Sequence, residues 1–179
     1  MLYLADRFSA LLSFSEPRPA AFSDYSFSGE PHQTYYAYDG AGTLTEQLLR
    51  FNFERVRFSP DADGGLWIIR IPGGLSNAEK LGDYPVIAPE EALRLLIAGN
   101  YFTSVPEEMP GAGYVAKTEL VYRAEGTIVP YYRFWVELPG QRQISDQMPE
   151  NLKTYGAYYV PAVEGQYIAN MPLWDGGFN

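Results

Sequence analysis

Hydrophobic and polar positions change period several times along the chain, and each change marks an element. Leu4, Phe8, Leu11 and Leu12 fall roughly on one side of a helical period, which predicts a short amphipathic helix over residues 1–14. From Ser15 to Pro31 the text turns to Ser, Pro, Gly and aromatic residues and reads as an irregular lead-in. "QTYYAYDG" has the look of a strand closing on a Gly turn. "TLTEQLLRFN" returns to helical spacing, with Thr43 as N-cap candidate and Glu46 at the capping-box distance. In "FERVRFSPDADGGLWIIRI", Phe53, Arg55 and Arg57 alternate with Glu54, Val56 and Phe58. "DADGG" then supplies the residues a tight reversal needs, and Ile68, Ile69 and Ile71 carry the return strand.

"IPGGLSNAEKLGDYP" is a connector with Pro at both ends. "APEEALRLLIAGN" is a punctuated helix. Pro89 opens it, Glu90 and Glu91 suit the positive end of the dipole, and Gly99 with Asn100 closes it. Ala92, Leu95, Leu96 and Ala98 form its apolar face. Three strands are expected after it, at about 114–123, 129–138 and 155–163. The pattern predicts an α+β fold, an antiparallel sheet with short helices packed on one face. Its parts are a lead-in at 1–32, a helix-plus-hairpin half at 33–84 and a second half at 85–179, as two halves or one continuous domain.

A turn at "AEGTI" (124–128) would set Arg123 opposite Val129 and fix the register of the pair. Tyr122, Leu120, Thr118, Ala116 and Tyr114 then meet Pro130, Tyr132, Phe134, Val136 and Leu138 on a nearly uncharged core face. On the other face Glu119 stands against Arg133 and Lys117 against Trp135, with Tyr131 beside them. Two readings of that outer face compete. Long charged side chains can cover the rings of a solvated surface. Alternatively Tyr131, Arg133 and Trp135 are anchors for a partner, with Lys117 and Glu119 around them. "TYGAYYVPAV" adds a further strand in which Tyr155, Ala157, Tyr159 and Pro161 share one side. Pro161 cannot donate to a ladder, so an edge position is expected there, and Tyr159 joins the candidate binding residues.

Composition sharpens this picture in four ways. The chain of 179 residues holds 15 Tyr, 10 Phe and 3 Trp, which favours a sheet-rich fold with large rings. A net charge of -9, with 13 basic residues among 22 acidic ones, gives no basic stripe for nucleic acid. The longest apolar runs are too short to span a bilayer. With no Cys there is no disulfide and no thiolate chemistry, which leaves the compartment open. His32 is the only histidine, so it alone would serve any triad, and it reads as a surface or turn residue. Asp61 and Asp63 begin like a calcium loop, but Trp67 and two Ile follow where oxygen ligands are needed, so a hairpin turn is the better reading. Glu90/Glu91 and Glu107/Glu108 are sequence neighbours that do not face each other as an acid–base pair would. No cofactor or metal site is expected.

The stretch "YPVIAPEEALRLLIAGNYFTSVP…YVAKTELVYRAEGTIVPYYRFWVEL…LKTYGAYYVPAV", roughly residues 85–163, resembles the cystatin-like modules of PepSY type and YycI-type regulatory proteins of Gram-positive bacteria. The shared features are a Pro-started "PEEALRLL" helix, a "VYR" strand, an aromatic strand opening with Pro, and a following strand. The resemblance implies a non-catalytic, extracytoplasmic domain of an envelope-associated protein, often tethered by an upstream anchor or lipidated leader. The apolar opening helix, lacking a leader, likewise predicts that a longer protein continues upstream. The expected function is contact with a protein or peptide through the aromatic face or an edge strand, peptidase inhibition included. The alternative is a carbohydrate-binding module using exposed Tyr and Trp, and a glycan-acting enzyme ranks last.

Overall fold

The computed structural model describes residues 2–25, 30–61, 63–125, 127–140 and 153–168. Among them the fold is α+β and contains two separate four-stranded antiparallel sheets. The described chain divides into two compact units between Lys80 and Leu81.

Unit 1 holds α1 (Leu2–Arg7), α2 (Ser9–Leu12), β1 (Pro17–Tyr25), β2 (Pro31–Asp39), α3 (Leu44–Phe53), β3 (Val56–Pro60) and β4 (Leu66–Arg70). Its strands lie in the order β1-β2-β3-β4. The predicted opening helix breaks at Phe8, and Leu11 is exposed, while the side chain of Leu4 lies outside the described residues. Leu12 and Phe14 pack against the buried Ala37, Val56 and Phe58.

The expected irregular lead-in is instead strand β1, paired with β2 from Pro17↔Asp39 to Tyr25↔Pro31. Its prolines hid it. Pro17 and Pro19 are two residues apart on an edge strand, so both nitrogens can face away from the ladder.

Thr43 caps α3 as its spacing predicts. The Thr43 backbone N–H donates to Glu46 Oε2 at 2.7 Å, and Thr43 Oγ1 accepts from the Glu46 N–H at 3.3 Å. Thr43→Ala is expected to cost about 1 kcal/mol in urea unfolding, the usual loss for a removed N-cap. α3 runs on through Phe53, so the hairpin begins later than the alternation predicted, at Val56. Phe51 sets its ring 5.2 Å from that of Tyr38, and the Arg55 guanidinium lies 4.5 Å from the Tyr36 ring. Tyr36 and Tyr38 alternate with Ala37 on β2, so α3 covers one face of this sheet and Leu12 with Phe14 the other. Helices on a single face therefore describe unit 2 only.

"DADGG" makes the hairpin turn. Asp61 Oδ1 accepts from the backbone N–H of Asp63 at 3.0 Å and of Gly65 at 2.6 Å, and Gly64 takes a φ of +80°.

Unit 2 holds α4 (Pro89–Ile97), β5 (Phe102–Thr103), β6 (Val115–Glu125), β7 (Thr127–Glu137) and β8 (Tyr155–Pro161), with the strands in the order β5-β8-β7-β6. Pro89 starts α4, and Ala92 and Leu96 are its buried residues. Gly99 at φ +85° donates to Leu96 O, and Asn100 N–H to Leu95 O, which closes the helix with a Schellman pair. Ala92 and Leu96 pack on Tyr132, Phe134, Val136, Leu138, Tyr158, Val160 and Ala162. The buried phenols are satisfied: Tyr132 donates to Ile87 O at 2.8 Å and Tyr158 to Glu107 O at 3.0 Å.

The β6–β7 register is the predicted one from Lys117↔Trp135 to Arg123↔Val129. The same register continues through Ala124↔Ile128 into the turn and departs only at the far end. The turn is tighter, with Glu125 opposite Thr127. A bulge between Val115 and Lys117 sets Val115, not Ala116, against Val136. Tyr114 consequently leaves the expected core face and is exposed.

Candidate functional site

The six predicted binding residues do come together on the outer face of β6–β7–β8. Glu119 is the centre. Its Oε2 accepts from Arg133 Nε at 3.0 Å, Arg133 Nη2 at 2.6 Å and Trp135 Nε1 at 2.9 Å, while Lys117 Nζ lies 2.5 Å from Oε1. The Arg133 guanidinium also sits 4.9 Å from the Trp135 ring centre. Arg123 lies 4.4 Å from the Tyr159 ring and 5.9 Å from that of Tyr131. Tyr131, placed among the exposed anchors, is only 3% accessible. The Phe102 ring meets its edge at 6.2 Å from the far strand β5, which no periodicity in the sequence announces.

Partial burial alone would raise the Glu119 carboxyl, but the hydrogen bonds from Lys117, Trp135 and Arg133 outweigh it and hold the group down at about 2, against an ordinary 4.5. A depressed carboxyl stabilises the fold above its unfolded value and loses that contribution as pH falls through the folded one. Unit 2 is therefore expected to weaken between about pH 4.5 and pH 2, read by urea midpoints. Glu119→Gln should flatten that slope; an unchanged slope in the variant would refute the assignment.

Lys117, Glu119, Arg133 and the Trp135 indole N–H are already paired with one another. Such a face has little left to offer an incoming ligand, and its rings lie under guanidinium groups as the covering reading requires. A row of bare rings for stacking on sugar is not what Tyr131, Trp135 and Tyr159 form.

The sheet edges tell a different story. β8 as a whole is an inner strand between β5 and β7, but β5 pairs only with Tyr158 and Tyr159, so Pro161 has a ladder partner only on the β7 side, with Ile87 N–H donating to Ala162 O just beyond it. The actual edges are β1 and β4 in unit 1 and β5 and β6 in unit 2. Natural sheets guard edges with proline, charge, bulges or brevity. β1 has Pro17, Arg18 and Pro19; β5 is two residues long; β6 has Lys117, Arg123 and a bulge. β4 reads Leu-Trp-Ile-Ile-Arg, and every one of its five residues is exposed. Trp67 is 73% accessible, and Leu66, Ile68, Ile69 and the following Ile71 are also open. Its one charge, Arg70, stands at the end, and Leu66 to Ile69 make the longest run of exposed apolar residues on any edge strand among the described residues.

A groove of about 490 Å³ lies beside it, lined by His32, Arg57, Ser59, Trp67, Ile68 and Arg70 among others. Its location follows from register. Arg57 pairs with Arg70 and Ser59 with Ile68, so these four share one face of the β3–β4 hairpin, and an irregularity beside Ser59 and Pro60 turns Trp67 to the same groove. His32, expected in an irregular segment, is an exposed residue of β2. "LWIIRI" was legible as a strand; what it lacked was any signal that no strand would cover it.

No family model matches the chain, and no curated protein or solved structure is significantly similar to it. Among the described residues, no helix is long and apolar enough to cross a membrane.

Proposed function

We propose that the protein is a non-catalytic binding domain that captures an extended polypeptide segment of a partner protein by adding it as a fifth strand beside β4. One observation carries the reading: among the described residues β4 is the edge strand with the longest exposed apolar run, Leu66 to Ile69, its one charge, Arg70, standing at the end. Strand addition draws affinity from main-chain hydrogen bonds and specificity from alternate side chains, and an exposed edge with a groove along one face supplies both. The outer aromatic face of unit 2 is then a scaffold.

The resemblance to PepSY-type and YycI-type modules supports placement outside the cytoplasm, and fractionation of the tagged protein with protease accessibility tests that part. The binding is tested by selecting displayed nine-residue peptides on the full chain and following amide exchange with each selected peptide. Slowed exchange of the β4 amides that point away from β3 is the expected result. Peptides that bind and leave β4 exchange unchanged, while slowing β6 or β7, would move the site to the other unit.

A further inference from the structure

Arg57 and Arg70 stand directly opposite each other on β3 and β4, on the face that carries the groove. Like charges in directly paired positions oppose the sheet, and natural sheets set an acid there when one is free to be used. None is used here. Among the described residues neither arginine makes a salt bridge or a side-chain hydrogen bond, and the buried Arg57 Nε has no hydrogen-bond partner. An unsatisfied buried N–H is costly enough to need a reason. The carboxylate on the wall, Asp61, is engaged in the turn through the Asp63 and Gly65 amides. The remaining walls are His32, Ser59, Pro60 and the apolar Trp67 and Ile68.

We infer that this groove is a carboxylate-reading subsite, and that the strand captured by β4 carries one acidic side chain which enters it between Arg57 and Arg70. The inference rests on the strand-addition reading and adds the partner's chemistry to it. Paired guanidinium groups suit a carboxylate because each can present two parallel N–H donors to it.

Geometry fixes the order of residues. A strand added antiparallel to β4 runs opposite to it, so the residue facing Arg70 precedes by two the residue facing Ile68 on the same face. The residue between them faces Ile69 on the other side. The partner segment therefore reads acidic, apolar, apolar. A second copy of this chain does not fit. Symmetric antiparallel pairing keeps the same face on both copies, so Arg70 would meet Leu66, Ile68 or another Arg70, none of them acidic. The net charge of -9 sharpens the choice further, since it repels an acidic run at long range and leaves a single well-placed carboxylate as the suitable feature.

The test uses the full chain and two blocked synthetic seven-residue peptides, one with Glu followed by two Val at its centre and one with Gln in place of Glu. Titration calorimetry is expected to show the Glu peptide binding about tenfold more tightly, the size of one charge-assisted hydrogen-bonded pair. The difference should vanish in Arg57→Gln and in Arg70→Gln. Arg70 is exposed, so its variant keeps the test informative if Arg57→Gln does not fold. Equal binding of both peptides, with β4 amides protected, overturns the carboxylate subsite and leaves strand addition standing. Binding of neither, or β4 amides already protected in a concentration-dependent way without peptide, overturns both.

Discussion

Phe134→Ala is expected to destabilise unit 2 by about 3–5 kcal/mol, while Trp135→Ala, one residue on, should cost less. Phe134 is 1% accessible and packs among Ala92, Leu96, Tyr132 and Tyr158. Its removal loses the transfer free energy of a ring and leaves a cavity that α4 and β8 cannot both close. Trp135 is half-buried on the opposite face, and the indole N–H is one of four donors reaching Glu119. Without it Lys117 and Arg133 still satisfy the carboxylate, so the loss is about 1 kcal/mol for one hydrogen bond plus about 1 kcal/mol for the half-buried ring and its guanidinium contact. Guanidinium titrations with amide-exchange readout in β7 and β8 would compare the two. Equal costs would mean that the two faces of β7 do not differ as the register requires.

That contrast is legible in the sequence, because a period of two fixes which residues share a face once one turn is placed. Local punctuation was readable for the same kind of reason: the Thr43–Glu46 box, the Asp61 turn and the Pro89 start each act within a few residues. What escaped depends on distant neighbours. Tyr131 is buried by Phe102 and Arg123, which reach it from other strands. β1 was hidden by prolines that are harmless only at an edge, and the cover of β8 at Tyr158 and Tyr159 comes from a two-residue strand too short to show a period. The exposure of β4 is of the same kind. A run such as "LWIIR" reads as a core strand until the sheet order shows that it lies at the end. The opposition of Arg57 and Arg70 needed the β3–β4 register, which is offset beside Ser59 and Pro60. Sequence pattern thus located the scaffold, whereas the candidate site lies on a strand that has no neighbour on one side among the described residues.

Trp67→Lys is the substitution expected to separate binding from folding most cleanly. Trp67 is 73% accessible and belongs to neither buried cluster, so the folded protein should keep its stability within about 0.5 kcal/mol. Its role in binding is different. An added strand would cover the indole, and a buried aromatic anchor at the centre of an interface is commonly worth about 2 kcal/mol or more, roughly 30-fold in Kd. A lysine at the same place must lose hydration to be covered, and it guards the edge in the way that charges guard β6. Two measurements on one variant then constrain each other. Loss of affinity for a selected peptide at unchanged urea midpoint locates the contact on β4, and slower aggregation of the variant would show the same edge being blunted. Undiminished affinity would require the peptide to bypass the indole, and strand addition along this edge cannot do that while pairing Ile68 and Ile69.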